Sequence, residues 1–282
     1  MSTNFALDAL SDFSLELLLL GFGLAALVST LAWRLSLLTG SGAIAATIIG
    51  GLIFSLGGLP WALLLLTFFV SSSLLSWAFP SRKRNVASTF AKGGRRDWAQ
   101  VAANGGLGTC FLLAVFLGWI DPSIAWAGYA GSLASVNADT WATELGVLSA
   151  NPPRLITTGK RVLPGTSGGI SLLGSLAALS GAFLIAGLAG WFISSQIFQL
   201  VLIVTLAGLL GSFADSLLGA TIQAIYYCPQ CKKETERHPF HSCGTPTTFH
   251  RGWAWLNNDG VNFISSIFGA LVAAESFYLL MG

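Results

Sequence analysis

Eight stretches of this chain each run for about a bilayer's thickness with at most one charged side chain. They are residues 14–33, 42–58, 60–79, 101–120, 123–140, 169–190, 196–225 and 261–280. About 20 apolar residues cross the hydrocarbon core as a helix, the form that bonds every backbone N–H and C=O within its own segment. Charged residues are 9% of the 282 and mean hydropathy is +0.72, whereas soluble domains carry about 25% charged residues. The expected fold is therefore all-α, a polytopic membrane bundle of about eight helices. Residues 1–282 form one membrane domain, with a Cys/His loop inserted at 226–256. A net charge of +2 argues against a nucleic-acid partner. Lipid is the expected surroundings, and nothing in the sequence fixes an oligomeric state.

The cations set the topology. Arg34 follows the first stretch, and Arg82, Lys83, Arg84, Lys92, Arg95 and Arg96 follow the third. Arg154, Lys160 and Arg161 follow the fifth, and Lys232, Lys233, Arg237 and Arg251 the seventh. With eight spans, all 14 Lys and Arg fall on one side. The positive-inside rule makes that side cytoplasmic and puts both termini opposite. The N-terminus is acidic (Asp8, Asp12, Glu16) and lacks a basic n-region, so the first stretch reads as a permanent span.

Acids and carboxamides gather near the cationic ends: Asn137, Asp139 and Glu144, then Asp215, then Asn258, Asp259 and Asn262. Ionisable groups inside a membrane are costly and point to function. On helices, Asp139 with Thr143, Ser212 with Asp215, and Asn258 with Asn262 and Ser265 make three polar stripes. Their convergence would build a cavity supplying the few oxygen ligands that Mg²⁺ takes beside substrate phosphates, with Asp139 and Asp215 as its ligands. Glu144 lies about 140° around the helix from Asp139 and is expected to meet a different helix or a basic loop. Lys160 and Gly165-Thr166-Ser167-Gly168 follow, where free glycine backbone and a helix N-terminus suit phosphate. Arg95 and Arg96 are further phosphate candidates.

The loop after the seventh stretch carries Cys228-Pro-Gln-Cys231, His238, His241, Cys243 and His250. A CxxC with a third Cys and nearby His reads as a closed Cys₃His zinc site. His241 or His238 is the expected fourth ligand, with His250 the third choice.

Four segments carry a resemblance: N-A-D-T-W-A-T-E-L-G (137–146), G-K-R-x-x-P-G-T-S-G-G (159–169), G-S-F-A-D-S-x-x-G-A (211–220) and L-N-N-D-x-V-N-F (256–263). In combination the chain resembles the polytopic family of transmembrane protein 19 and the plant phytyl-phosphate kinases, from the second span onward. The D-x-x-A-x-x-x-G element at Asp139, Ala142 and Gly146 is also similar to polyprenol and phytol kinases and to CDP-diacylglycerol synthases. The resemblance implies a membrane kinase using Mg²⁺ with CTP to phosphorylate an isoprenyl monophosphate, phytyl phosphate in the plant members, giving the diphosphate for tocopherol and phylloquinone. It further implies Asp139 as a metal or nucleotide ligand, and with that activity the residues themselves read Asp139, Asp215, Lys160 and Glu144 as the catalytic groups. Asn137, Gly165–Gly168, Arg95, Arg96, Asn258, Asp259 and Asn262 would then be nucleotide and phosphate contacts. The setting it implies is a bacterial plasma or thylakoid membrane, cyanobacterial included, with reactive loops on the cytoplasmic side. The Cys/His loop departs from it, since not all relatives have one. A different class, a transporter of ions or small anionic or lipidic solutes, would use the same acids near mid-membrane.

Overall fold

Most of the helices begin where a short polar side chain accepts one of the first free N–H groups. Ser14 accepts from Leu17 N, Thr39 from Gly42 N, Asp97 from Gln100 N and Ser171 from Gly174 N. A computed structural model describes residues 14–78, 94–193 and 196–281. Its helices are α1 (Leu15–Arg34), α2 (Gly40–Trp77), α3 (Trp98–Phe116), α4 (Pro122–Gly146), α5 (Leu172–Trp191), α6 (Ile197–Thr221) and α7 (Asn258–Met281). Two loops fold as small antiparallel sheets, which a purely helical reading does not anticipate. One pairs β1 (Arg154–Leu155) with β2 (Gly169–Ile170). The other is a three-stranded ribbon of β3 (Ile225–Cys228), β4 (Lys233–Thr235) and β5 (Thr248–Arg251), with β3 in the centre.

A straight helix of 38 residues, the length of α2, would reach about 57 Å, far more than a bilayer core. It is not straight. Gly58 turns at φ 69°, ψ −165°, a backbone that favours glycine, and Pro60 follows. Arg96 meets both ends of α2: its carbonyl accepts from Thr39 N at 2.9 Å, and its Nη1 donates to Ser73 Oγ at 2.7 Å. The two halves therefore form a hairpin, as Gly57-Gly58-Leu59-Pro60 predicts. At the bend, Trp61 stacks on Tyr129 of α4 with centroids 4.8 Å apart, and Tyr129 Oη donates to the Trp61 carbonyl.

Six helices have the length and apolarity to cross a membrane among the described residues, and α4 is not one of them. It is the hub instead. Ala125 to Ala138 is an unbroken buried run, surrounded by α2, α3, α5, α6 and α7, while α1 packs outside on α2. Small residues allow the approach: a Cβ on Gly131 would collide with the Gly269 carbonyl of α7. Counting α2 twice and adding α4 gives eight passes, in line with the charge pattern. The outer faces carry exposed Leu, Phe and Trp, as lipid contact requires.

The described cationic segments share one end of the bundle. Thr39 bonds to Arg96, Ser76 Oγ to Glu144 Oε1, Ser167 to Glu236, and Arg251 to the last turn of α6. Arg82, Lys83, Arg84 and Lys92 lie outside the described residues.

Candidate functional site

At the cationic end, three carboxylates from three elements converge. Asp215 of α6 feels the charges of both Asp139 of α4 and Glu236, the residue after β4. Asp139 feels Glu236 in turn. Ser265 of α7 brings its Oγ to 3.1 Å from Asp215 Oδ2 and 3.0 Å from the Asn262 carbonyl, so the stripes on α6 and α7 touch. The Asn262 Oδ1 is buried with no hydrogen-bond partner among the described residues. Asp259 is buried beside it in the first turn of α7, and Asn258 begins that helix.

Glu236 closes the site from outside the bilayer. Its Oε1 accepts from Gln223 Nε2 at 2.8 Å and from Ser167 Oγ at 3.1 Å. Ser167 belongs to the glycine-rich turn, which lies against the end of α6. Gly168 takes φ +81°, and a Cβ there would stand 2.7 Å from the Ser216 carbonyl oxygen. The turn is pinned by Ile156 N–H donating to the Gly168 carbonyl and Gly169 N–H to Thr166. The N–H groups of Ser167 and Gly168 have no acceptor among the described residues, which leaves two adjacent donors beside the acids. Gly165 is a second left-handed position, at φ +85°.

Not every expected residue reaches this place. Lys160 and Arg161 stand exposed on the hairpin between β1 and β2. Asn137 is fully buried and its amide is used in packing: Oδ1 accepts from Ser71 and Ser72 of α2, and Nδ2 donates to the Gly181 carbonyl of α5. Glu144 faces Ser76 and the charge of Arg96, so it meets a different helix and a basic segment, as its position on α4 predicts. Arg95 bonds to the Leu38 carbonyl. Burial pulls the Arg96 guanidinium below its usual value, and the Glu144 charge acts the other way. Arg96 also lies over the rings of Phe68 and Phe69. With Gln100 and Asn104 it forms the polar end of an otherwise apolar cavity of about 310 Å³ between α1, α2 and α3.

Glu236 is the group that sequence reasoning missed. It lies 21 residues past Asp215 in a loop read only for its Cys and His, and no local spacing ties it to the membrane acids. In that loop, Cys228, Cys231, His241 and Cys243 bring one ligand atom each within 4.8 Å of one another. Hydrogen bonding with Thr245 and then His241 draws the Cys243 thiol down to about 5. The Cys231 thiol is pushed up to about 11, chiefly by its bond with Cys243. His238 stacks on Tyr226 at 4.4 Å and His250 faces Glu234 at 3.5 Å, so neither joins the thiols.

Residues 23–270 match the profile of a family described as "Integral membrane protein DUF92". Protein PGR of Arabidopsis thaliana is 36% identical over 262 residues, covering 85% of this chain and 89% of that one. An uncharacterized membrane protein of Methanocaldococcus jannaschii is 32% identical over 235 residues, 83% of this chain and 84% of the other. The chloroplastic protein VTE6 of Arabidopsis thaliana is 27% identical over 239 residues, 84% of this chain and 64% of that protein. No solved structure matches.

Proposed function

The chain belongs to the DUF92 family of integral membrane proteins, and from that premise we propose that it is a membrane kinase. It transfers a phosphoryl group from a nucleoside triphosphate, CTP, to an isoprenyl monophosphate of the phytyl phosphate type. The observation that carries this reading is the meeting of Asp139, Asp215 and Glu236 beneath a glycine-rich turn with two N–H groups that find no acceptor among the described residues. The resemblance of the four motifs to phytyl-phosphate kinases supports the choice of donor and acceptor. Asp139 lies seven residues and Asp215 six residues inside their helix ends, about 9–10 Å, and loop residues reach them. That favours chemistry at the membrane surface over transport through its middle.

A phosphate monoester has a second pKa near 6, so close to neutral pH its oxygens are already nucleophilic and no base is required. The task left to the protein is to hold two anionic groups in line. Hard carboxylate oxygens from three elements suit Mg²⁺, with Asp139, Asp215 and Glu236 as its holders; the ion would neutralise charge on the transferring phosphoryl group. The Ser167 and Gly168 N–H groups donate to the nucleotide phosphates, and Lys160 swings over them. Asn258, Asp259 and Asn262 line the α7 side of the same chamber. Arg96 draws the acceptor's anionic head toward the cationic end, and the apolar cavity beside it takes part of the prenyl chain.

The test is direct. Purified protein in nanodiscs, given Mg²⁺·CTP and phytyl phosphate, is expected to yield phytyl diphosphate, with free phytol a poor acceptor. Equal phosphorylation of phytol, or no nucleotide-dependent product with any prenyl phosphate, would overturn the proposal.

A further inference from the structure

The ribbon after α6 is too small to hold itself together by burial. Its strands have three or four residues, Phe249 on β5 and Phe240 in the connection before it are exposed, and a segment of this size needs a staple. The staple is visible in how its two tight turns are built. Cys228 ends β3 and Cys231 follows three residues on, with the Cys231 N–H 3.5 Å from Cys228 Sγ. Lys232 then takes φ +52°. In the second turn His241 and Cys243 are followed by Gly244 at φ +81°, and the Gly244 N–H bonds back to the His241 carbonyl. Each turn offers two ligand atoms and then reverses through a left-handed residue. The two turns face each other.

The spacing between them discriminates among chemistries. A disulfide needs about 2.05 Å between sulfurs. Cys228 Sγ and Cys243 Sγ stand 3.7 Å apart, and all the cysteines are free. A tetrahedron with Zn–S arms of about 2.3 Å has edges of about 3.8 Å. His241 turns Nδ1 toward Cys243 Sγ at 3.2 Å. Its Nε2 is buried with no partner among the described residues, so the ring's polar contact lies inside the thiol cluster. Three soft thiolates and one imidazole are the donor set of a structural zinc, and four protein ligands leave no open position.

The ribbon is also bolted to the membrane acids. Arg251 of β5 donates to the Gly219 and Ala220 carbonyls at the end of α6. Glu236 is the first residue beyond β4, and β4 pairs with β3 through Cys228↔Lys233 and Tyr226↔Thr235. The ligands thus hold both ends of the segment that carries Glu236.

We propose that Cys228, Cys231, His241 and Cys243 bind one Zn²⁺ in a closed site, and that this clamp seats Glu236 over Asp139 and Asp215. The zinc site stands whether or not the protein is a kinase; its link to turnover rests on that reading.

Metal analysis of the full chain purified in detergent is expected to find about one zinc per chain. Cys231→Ser and His241→Ala lose it, whereas His238→Ala and His250→Ala keep it. Replacing zinc by Co²⁺ in the wild-type protein is expected to give thiolate charge-transfer and tetrahedral d–d absorption, which does not depend on any variant folding. Folded wild-type protein without metal, iron in place of zinc, or zinc retained in both ligand variants would overturn the site. For the link, stripping zinc with a thiol-reactive mercurial and restoring the thiols is expected to raise the Mg²⁺ needed for half-maximal turnover about tenfold, the scale of an outer-sphere loss. Glu236→Gln, which removes one of the Mg²⁺ holders outright, is expected to raise it by at least as much while keeping its zinc. An unchanged Mg²⁺ requirement after stripping would break the link and leave the zinc site standing. Zinc present in a protein with no kinase activity would overturn the kinase reading and leave the site intact.

Discussion

Helix α4 presents two polar faces that are built on opposite terms. Asn137 and Glu144 lie on one side, within about 20° of each other, and Asp139 lies about 200° around from Asn137. On the first side polar groups meet partners: Ser71, Ser72 and the Gly181 carbonyl satisfy Asn137, and Ser76 with the Arg96 charge answers Glu144. On the second, the electrostatic neighbours of Asp139 and Asp215 are acids. A paired polar face holds helices together in a medium that offers no water. A face of like charges works against the fold unless a cation joins it. Residues of similar type, one or two turns apart on one helix, therefore serve packing on one side and ligand binding on the other.

That contrast can be broken most sharply at Asp139. Asp139→Asn and Asp215→Asn are each expected to cut turnover at least about a hundredfold, the cost of losing a preorganised charge in phosphoryl transfer, with thermal stability in detergent equal to or above wild type. Equal turnover would remove the distinction between the faces. Asn137→Ala should do the reverse: about 1–3 kcal/mol lost in unfolding measurements, because the bonds from Ser71 and buried Ser72 and the bond to the Gly181 carbonyl are all lost, while the folded fraction keeps near wild-type turnover. A folded but inactive Asn137→Ala would show that the packing face also touches substrate.

Smaller effects sharpen the boundary. Lys160→Ala is expected to raise the KM for nucleotide about tenfold with little change in kcat at saturation, since an exposed cation contributes mainly to attraction; a kcat loss with unchanged KM would place it at the transferring group instead. The least change is expected for Glu144→Gln, which keeps an acceptor for Ser76 and gives up the attraction to Arg96. Its turnover, followed across ionic strength, should track wild type. A collapse like that of Asp139→Asn would join the two faces into one site.

What was legible in the sequence follows the range of the forces involved. The spans and their common polarity could be read because bilayer thickness and positive-inside charge act on local stretches. The α2 hairpin could be read from Gly57-Gly58-Leu59-Pro60 for the same reason. Cys228 and Cys231 announced themselves by spacing, and the structure selects His241 over His238 because the latter's ring is taken by Tyr226. Glu236 was not legible. Its tie to Asp215 is a tertiary contact across the end of α6, made by a side chain whose own neighbours in sequence belong to the ribbon. The exposed position of Lys160 was hidden too, since nothing local says that Arg154 pairs with both Arg161 and Ile170 and so folds residues 154 to 170 back on themselves.

The hub position of α4 also bears on how such a protein is made. Its 25 residues are rich in Gly, Ala and Ser and end in acids, so among the described helices it falls outside the set apolar enough to cross a membrane. Emerging from the ribosome, this segment has a weak claim on the lipid by its own composition. Its retention depends on α2 and α3, already inserted, and becomes secure only once α5, α6 and α7 have closed around it. Biogenesis of the functional end is thus cooperative across most of the chain, and truncation before α7 would leave the central helix without the environment it was composed for.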